Sequence, residues 1–210
     1  MRTIAAFDFD GTLTRRDTLY PFLRDFVGVP ALAAAAVRDL PRLAAAALGR
    51  GDRDAAKARL FARVLGGRSA GDAWDHGRRH AERIVASGLR PEMIERLEGH
   101  RRDGHEVVIV SASIDAYLDV VGSVLGIDRV LCTRLEVRDG RLTGAMLGGN
   151  CRGAAKLARI RDAFGDPTTE PYELWAYGDS AGDDAMLGAA DHAFRVRRDG
   201  SIVPTNPTAG

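Results

Sequence analysis

Short apolar runs alternate along the chain with longer segments whose apolar residues recur at helical spacing. The second run is apolar at four consecutive positions, 107–110, which is typical of a strand buried on both faces of a sheet. Predicted strands fall at residues 3–8, 107–111, 130–137, 174–177 and 192–196. This alternation predicts an α/β fold, in which a Rossmann-like parallel sheet carries helices on both faces.

One block of the chain, residues 15–88, contains no strand-like run. It consists of alanine-, leucine- and arginine-rich segments, and its breaks predict about four helices. The breaks fall at residues 28–30, 41, 49–52 and 66–67. Because one predicted strand precedes the block and the others follow it, residues 1–14 and 89–210 are expected to form a core and residues 15–88 an inserted helical cap. The cap is expected to lie over the carboxyl edge of the sheet, where ligands bind in such folds.

Proline, glycine and turn-forming residues predict where several helices, strands and loops begin or end. Pro91 suits the first turn of the helix before the second strand, and Gly104 suits its end. The Asp139-Gly140 pair between apolar residues predicts a hairpin turn. Residues 204–210 are expected to form a loose tail.

Charge and cysteine usage narrow the class of protein. The formal net charge of +1 and the pI of about 7.9 provide no basic surface of the kind that binds nucleic acid, so no nucleic-acid partner is expected. The two cysteines, Cys132 and Cys151, are too few for a disulfide framework and lack metal-site spacing. The first seven residues lead straight into an acidic motif without the pattern of a signal peptide, which favours a cytoplasmic location.

The alanine-rich stretch at residues 31–48 is the one membrane candidate in the sequence. Arg38, Asp39 and Arg42 lie in the middle of it, and each charge costs about 2.5 to 3.5 kcal/mol at the centre of a bilayer. The stretch is therefore interpreted as soluble helices, and membrane contact is not expected.

Two carboxylates, Asp8 and Asp10, stand one residue apart at the end of the first apolar run. Such a pair can hold a divalent cation and present one carboxylate to an electrophile while the other transfers a proton. The pair makes catalysis the first functional hypothesis.

Two further strand ends or helix starts carry groups that can bind phosphate. Ser111 follows the buried second strand, where its hydroxyl can meet a phosphate oxygen. Ser113 is interpreted as a helix N-cap instead. Among 30 lysine and arginine residues only Lys57 and Lys156 are lysine, which suggests that position 156 needs a compact point charge.

A third group of acids, Asp179 and Asp183, follows the strand at residues 174–177. Helix capping would explain one of these acids but not both. Clustered carboxylates repel one another unless a cation joins them, and an all-oxygen ligand set suits Mg²⁺. The pattern predicts a metal site.

Residues 8–12, Ser111, Lys156 and residues 178–183 stand in the order of the four motifs of the haloacid dehalogenase superfamily, which the chain resembles over nearly its whole length. The helical insertion after the first motif is similar to the branch, subfamily IB, that includes phosphoserine phosphatase. The resemblance implies a core with an inserted cap and the activity of a Mg²⁺-dependent phosphatase.

Carried over residue by residue, the resemblance implies that Asp8 attacks phosphorus and becomes an aspartyl phosphate. Asp10 would protonate the leaving alkoxide and later activate water. The implied phosphate ligands are the Gly11 amide, Ser111 and Lys156, and the implied Mg²⁺ ligands are Asp8, the Asp10 backbone carbonyl, Asp179 and, close by, Asp183. Gly182 departs from the family pattern, because phosphoserine phosphatases commonly have asparagine there.

Substrate recognition rests on two cap residues in this resemblance. Asp17 stands nine positions after Asp8, where phosphoserine phosphatases have an acid that contacts the substrate's amine, although it also suits the cap of the first inserted helix. Arg59 lies in the region of a carboxylate-binding arginine. A surface charge is the plainer interpretation of Arg59, and Arg53, Lys57 and Arg63 compete for the role.

Three functions are compatible with these residues. The first is hydrolysis of a small phosphorylated metabolite such as phosphoserine or histidinol phosphate, by a monomer or homodimer. The second keeps the chemistry but takes a lipid-linked phosphate such as phosphatidylglycerophosphate. The third is a non-enzymatic phospho-acceptor module. Such modules lack an equivalent of Asp10 and of the cap, so both features of this chain count against the third function. Transfer of the phosphoryl group to another alcohol is also open.

The histidines are expected to be structural. His100 is placed on a core helix away from the strand ends. His76 and His80 share a helix face but lack the acidic residue pattern of a zinc protease.

Overall fold

The fold is described here from a computed structural model that covers residues 1–47 and 52–205, with the backbone alone described for residues 39–47. The described chain forms one sheet and eight α-helices. The strands are β1 Arg2–Phe7, β2 Glu106–Ile114, β3 Arg129–Arg138, β4 Arg141–Leu147, β5 Tyr172–Gly178, β6 His192–Val196 and β7 Ile202–Thr205. The helices are α1 Leu19–Val27, α2 Val29–Ala47, α3 Arg53–Val64, α4 Ala70–Ser87, α5 Pro91–Arg102, α6 Asp115–Val124, α7 Ala154–Phe164 and α8 Asp184–Gly188.

The sheet has the strand order β4-β3-β2-β1-β5-β6-β7. The five inner strands are parallel, and the outer strands β4 and β7 are antiparallel to their neighbours. Phe7, the last residue of β1, pairs with Ile109 on one side and with Tyr177 on the other. The order of the strands reverses at β1, so the crevice that such sheets use for ligands lies beyond its carboxyl end.

Both faces of the sheet are buried. Ala5 and Phe7 of β1 point to one face and pack in the core that also contains cap residues, whereas Ile4 and Ala6 point to the face covered by α7 and α8. This alternation follows from the period of two residues in a strand. Burial on both faces explains why the central strands are continuously apolar.

Helices α1 to α4 are inserted between β1 and β2, and the two segments that lead into and out of them pair with each other. Thr14 and Leu89 form an antiparallel bridge. The Arg15 amide donates to the Gly88 carbonyl at 3.1 Å, and the Arg90 amide donates to Leu13 at 2.8 Å. The helices rest on the sheet through one continuous apolar core, which ties the insertion to the strand that carries the acidic motif.

The predicted α/β class, the five predicted strands and the four inserted helices are confirmed. The hairpin turn is confirmed as well, since Asp139 and Gly140 have φ values of 48° and 71° between β3 and β4. The prediction of a break at Pro41 is wrong, because α2 continues to Ala47. Proline removes one helical hydrogen bond, but the alanine-rich segment around it has a high helix propensity.

The prediction that the tail begins at Pro204 is also wrong. Strand β7 extends to Thr205 and pairs antiparallel with β6, with Pro204 opposite Phe194 at the edge of the sheet. A proline is tolerated there because an edge strand leaves half of its amides unpaired. The predicted interruption at residues 49–52 lies largely outside the described residues, as do residues 206–210. The division into core and cap stays a prediction.

No single helix in the described ranges is both long and apolar enough to cross a membrane. One pair of segments, Leu19–Val27 and Val29–Arg38, meets the length and composition criteria together, but it is bent by 110° between the two helices.

His100 of α5 is a buried structural residue, as the sequence predicts. Its Nε2 lies 2.8 Å from the Tyr177 hydroxyl, and its Nδ1 lies 2.8 Å from Nδ1 of His105. Two ring nitrogens can share a hydrogen bond only when one of them carries no proton. Burial, reinforced by the charges of His105 and Arg96, lowers the pKa of His100 to about 4.

This lowered pKa predicts a pH dependence of stability. Between about pH 6.5 and pH 4 the unfolded chain binds a proton at His100 that the folded chain does not, so the free energy of unfolding falls as the pH falls. We expect His100 to contribute a loss of about 1 to 2 kcal/mol between pH 7.5 and pH 5. In urea denaturation across this range, the change in the free energy of unfolding should differ by that amount between the wild type and His100→Gln, because the other titrating groups are common to both. Equal pH slopes in the two proteins would contradict the assignment.

Candidate active site

The first acidic motif continues β1 into a tight loop. The Asp8 amide donates to the Tyr177 carbonyl at 2.9 Å, so the Asp8 side chain stands at the carboxyl end of the central strand. The chain then turns at Gly11, whose φ is 83°. A Cβ atom at Gly11 would lie 2.3 Å from Oδ2 of Asp179, so glycine lets this loop approach the loop that follows β5.

Lys156, on the first turn of α7, joins two buried carboxylates. Its Nζ lies 2.5 Å from Oδ1 of Asp8 and 2.6 Å from Oδ1 of Asp183. The exposed fractions of the three residues are 2%, 6% and 1%, respectively. Oδ2 of Asp8 accepts a further hydrogen bond from the Thr12 hydroxyl at 3.2 Å. The nucleophile candidate is thus held by a cation on one oxygen and a hydroxyl on the other.

Burial and charge oppose one another in this cluster. Burial raises the pKa of Asp8 above its usual range, and the charge of Asp183 adds to the rise, while Lys156 lowers it. Burial disfavours the ammonium form of Lys156, but the two carboxylates more than reverse this and raise its pKa. Lys156 is therefore charged, and a further cation beside the cluster would favour the ionised form of Asp8 against the effect of burial.

Asp183 also organises the loop after β5. Its Oδ2 accepts hydrogen bonds from the amides of Asp179 and Ser180, at 3.2 Å and 2.9 Å, and from the Ser180 hydroxyl at 3.1 Å. The Ser180 hydroxyl in turn accepts from the Gly182 amide. These bonds satisfy the free amides at the start of a short helical turn. The loop is thereby fixed in the position that presents Asp179 to Asp8.

Asp10 faces the same pocket but is held by neutral donors. Its Oδ1 accepts from the Thr18 amide at 2.7 Å and from the Thr18 hydroxyl at 2.6 Å, and its Oδ2 accepts from the Ser113 hydroxyl. Burial, with the nearby charge of Asp17, raises the pKa of Asp10 to about 6, against the lowering effect of these donors. A carboxyl group with this pKa can both give and take a proton near neutral pH.

Thr18 is itself supported by two helices. Its hydroxyl lies 2.9 Å from the Tyr117 hydroxyl of α6, and its carbonyl lies 2.9 Å from Nε2 of His80 on α4. Thr18 directly precedes α1, so the orientation of Asp10 depends on contacts that the inserted helices make with the core.

The pocket between these groups has a volume of 160 Å³. Of the residues predicted from sequence to form the site, seven line it, and these are Asp8, Asp10, Asp17, Ser111, Lys156, Asp179 and Asp183. Asp17 is exposed at the rim, and its Oδ2 accepts from the Tyr20 amide at 2.9 Å, in the manner of a helix cap. The four motifs therefore converge on one pocket.

Three carboxylates are arranged so that a metal ion could bind. Asp8, Asp179 and Asp183 each offer an oxygen, and these oxygens lie within 4.8 Å of one another. The donors are all oxygen and their charge exceeds that of Lys156, which fits a hard divalent cation such as Mg²⁺. In this arrangement Asp183 divides its two oxygens between Lys156 and the loop amides.

Arg59 is not among the residues that line the carboxylate pocket. It lines a separate cavity enclosed by α1, α2 and α3, so the structure does not bring it to Asp8, and its substrate role stays a prediction. Lys57, two residues earlier, lines the same cavity, and its ammonium group also reaches the core. Its Nζ donates to the Ala112 carbonyl and, at 2.8 Å, to Oδ1 of Asn150.

Sequence reasoning missed the role of Ser113 and assigned it wrongly. Strand β2 extends to Ile114, which occupies the N-cap position of α6, and the Ser113 hydroxyl bonds Asp10 instead of capping the helix. Alternate residues of a strand point to the same face, so strand periodicity places Ser113 on the same face as Ser111. That periodicity is the sequence signal that identifies Ser113 as a possible site residue. The Ser111 hydroxyl also accepts from the Ser113 amide at 3.0 Å.

Arg152 is another pocket residue that the sequence did not single out. It lies beside Gly182, where a Cβ atom would lie 3.2 Å from its Nε and 3.3 Å from its Cγ. The glycine thus leaves room for the Arg152 side chain at the pocket. This is a physical reason for glycine at position 182, where phosphoserine phosphatases commonly have asparagine.

Comparison of sequences relates the chain to known proteins. The sequence model of haloacid dehalogenase-like hydrolases matches residues 5–188. Protein CicA of Caulobacter vibrioides is 36% identical over 197 residues, which cover 93% of this chain and 86% of that protein. A phosphoserine phosphatase of Idiomarina loihiensis is 31% identical over 100 residues, which cover 48% of this chain and 46% of that enzyme.

Comparison of structures gives the same fold. A protein of unknown function from Bordetella pertussis superposes with a TM-score of 0.74 at 21% identity, and the match covers 90% of this chain and 87% of that one. A substrate-bound phosphoserine phosphatase superposes with a TM-score of 0.61 at 20% identity, and the match covers 94% and 86% of the two chains.

Proposed function

Because the chain belongs to the family of haloacid dehalogenase-like hydrolases, we propose that it is a Mg²⁺-dependent phosphatase that acts through an aspartyl phosphate on Asp8. The observation that carries the proposal is that one pocket contains two carboxyl groups with different hydrogen-bond partners. Asp8 lies against Lys156, whereas Asp10 is held by hydroxyl and amide donors. A nucleophile and a separate acid/base are what hydrolysis through a covalent intermediate requires.

In the first step an Asp8 carboxylate oxygen attacks the phosphorus atom, and the bond between phosphorus and the alcohol oxygen breaks. Asp10 donates its proton to the departing alkoxide, so that a neutral alcohol leaves. Lys156, adjacent to Asp8, and the hydroxyl of Ser111 stabilise the charge of the phosphoryl oxygens. The Gly11 amide is proposed to contribute a further hydrogen bond.

In the second step Asp10, now ionised, takes a proton from a water molecule that attacks the aspartyl phosphate. The bond between phosphorus and the Asp8 oxygen breaks, which releases inorganic phosphate and restores the Asp8 carboxylate and the protonated Asp10. The hydrogen bonds from Thr18 and Ser113 hold Asp10 in one place through both proton transfers. Its raised pKa suits both roles near neutral pH. Another alcohol could replace water in this step.

Mg²⁺ would be held by Asp8, Asp179 and Asp183, together with the Asp10 backbone carbonyl, and would supply positive charge to the phosphoryl oxygens. A cation at this position also favours the ionised form of Asp8, whose pKa burial raises.

The proposed substrate is a small phosphorylated metabolite, with phosphoserine or histidinol phosphate as examples. Phosphoserine phosphatases among the relatives support this choice. The proposed partner of an amine on the substrate is Asp17, which lines the pocket, and the proposed partner of a carboxylate is Arg59. A lipid-linked phosphate is the second candidate, and it is favoured by the apolar bent pair formed by Leu19–Val27 and Val29–Arg38.

Two substitutions separate the proposed catalytic roles. We expect Asp8→Asn to abolish phosphate release, because the amide is a poor nucleophile. Asp10→Asn should lower kcat by about 10²- to 10⁴-fold, because it removes the proton donor. Phosphate release is measured with Mg²⁺ across phosphoserine, histidinol phosphate, sugar phosphates and phosphatidylglycerophosphate.

The matched control is Asp75→Asn, which neutralises an exposed carboxylate on α4 outside the pocket and should leave kcat unchanged. EDTA should remove the wild-type activity, and added Mg²⁺ should restore it. Turnover that survives Asp8→Asn, or a wild type that releases no phosphate from any substrate, would refute the proposal.

Gly11→Ala tests the metal site separately from turnover. The new Cβ would displace the Asp179 carboxylate, so we expect Mg²⁺ affinity measured by calorimetry to fall by about 10-fold or more. Gly67→Ala is the control, because Gly67 has nearly the same φ, 80°, but no atom lies within 4 Å of the added Cβ. Equal Mg²⁺ affinities in the two variants would show that Asp179 does not contribute to the site.

A further inference from the structure

A second cavity, of 260 Å³, lies inside the inserted helices beside the active site. Its walls come from α1, α2 and α3 and consist mainly of apolar side chains, such as Leu32, Leu60 and Phe61. Among the described residues that line it, Lys57 and Arg59 are charged. Apart from Arg59, the proposed partner of a substrate carboxylate, the reaction as described uses none of these wall residues.

The two cavities meet at the start of α1. Leu19 lines both the carboxylate pocket and the apolar cavity. Lys57, in the wall of the cavity, reaches the carbonyl of Ala112, and Ala112 lines the carboxylate pocket between Ser111 and Ser113. The apolar cavity therefore begins where the polar pocket ends.

The position of Asp10 decides which part of a substrate faces this cavity. The leaving oxygen of the substrate must lie within hydrogen-bond reach of Asp10, which protonates it. Asp10 is bound by Thr18, and the next residue is Leu19. Leu19 lines the carboxylate pocket and the apolar cavity, so an alcohol whose oxygen meets Asp10 lies near a residue that the two cavities share.

One wall residue of the cavity is also open to solvent. Tyr20 lines the cavity and is 59% exposed, so this part of the apolar wall is accessible from outside. Of the candidate substrates, phosphoserine carries no apolar group that would contact the apolar part of these walls.

We propose that the cavity receives an apolar alkyl or aryl group of the substrate's alcohol, so that the substrate is a phosphomonoester with an apolar substituent. The inference rests on the proposed function, because it takes Asp10 as the group that protonates the leaving oxygen. The substituent could belong to a water-soluble ester or to a membrane lipid, and the chemistry of the cavity is the same for both.

The test measures kcat/KM for ethyl, butyl and hexyl phosphate, with phosphoserine as the polar reference. Burial of each methylene group should raise kcat/KM by roughly fourfold until the cavity is full. Hydrolysis of dioleoyl phosphatidic acid in phosphatidylcholine vesicles, compared with that of hexyl phosphate, distinguishes the lipid source from the soluble one. Either source supports the proposal.

Variants that fill the cavity make the test specific. Ala35→Leu and Ala36→Leu add bulk to residues that line it, and Ala36 is exposed, so the second variant should fold even if the first does not. Both should lower kcat/KM for hexyl phosphate by at least tenfold and leave ethyl phosphate unaffected. Ala33→Leu, an exposed residue of the same helix that does not line the cavity, is the control.

Binding of ethyl- and hexylphosphonate, measured by calorimetry with Mg²⁺, separates this inference from the proposed function. Tighter binding of hexylphosphonate that Ala36→Leu abolishes supports the cavity even in a protein that hydrolyses nothing. Affinity and kcat/KM that do not depend on chain length, or that change equally in Ala36→Leu and Ala33→Leu, would overturn the inference. If Asp8→Asn loses turnover but kcat/KM does not depend on the chain length of the substrate, the proposed phosphatase function stands and the inference about the cavity is rejected.

Discussion

The buried ammonium group of Lys156 is the interaction on which the site depends. It lies between Asp8 at the end of β1 and Asp183 in the loop after β5, and so joins the ends of two neighbouring strands. Removing one partner of a buried ion pair costs about 3 to 5 kcal/mol, because the remaining charge loses its compensation. In the proposed mechanism the ammonium that makes two carboxylates tolerable in the core also stabilises the charge of the phosphoryl oxygens. Stability and the proposed chemistry therefore depend on one group.

The second acid is controlled from the inserted helices. Asp10 receives two hydrogen bonds from Thr18, which stands at the start of α1, and Thr18 is in turn bound by Tyr117 and His80. A shift of the helices relative to the sheet would move these donors away from Asp10. The insertion thus helps to set the position of the group to which we assign proton transfer.

The sequence predicted the strand ends and their acids well, because each motif joins an apolar run to a polar turn within a few residues. It could not place side chains whose role depends on distant partners. Ser113 bonds Asp10 because β2 continues past Ser111, and its register with β3 shifts over this stretch. For α3, helical spacing alone could not tell that Lys57 and Arg59 line a cavity other than the carboxylate pocket, or that Lys57 also bonds the Ala112 carbonyl.

The measurement that tests the central claim most directly is identification of the residue that carries the phosphoryl group during turnover. Asp10→Asn should be mixed with substrate and Mg²⁺, quenched in acid within milliseconds to seconds, digested and analysed by mass spectrometry. The account predicts a phosphoryl group on Asp8, which accumulates because the variant lacks the base that activates water. A phosphoryl group on another residue such as Ser111, or turnover without any covalent intermediate, would contradict it.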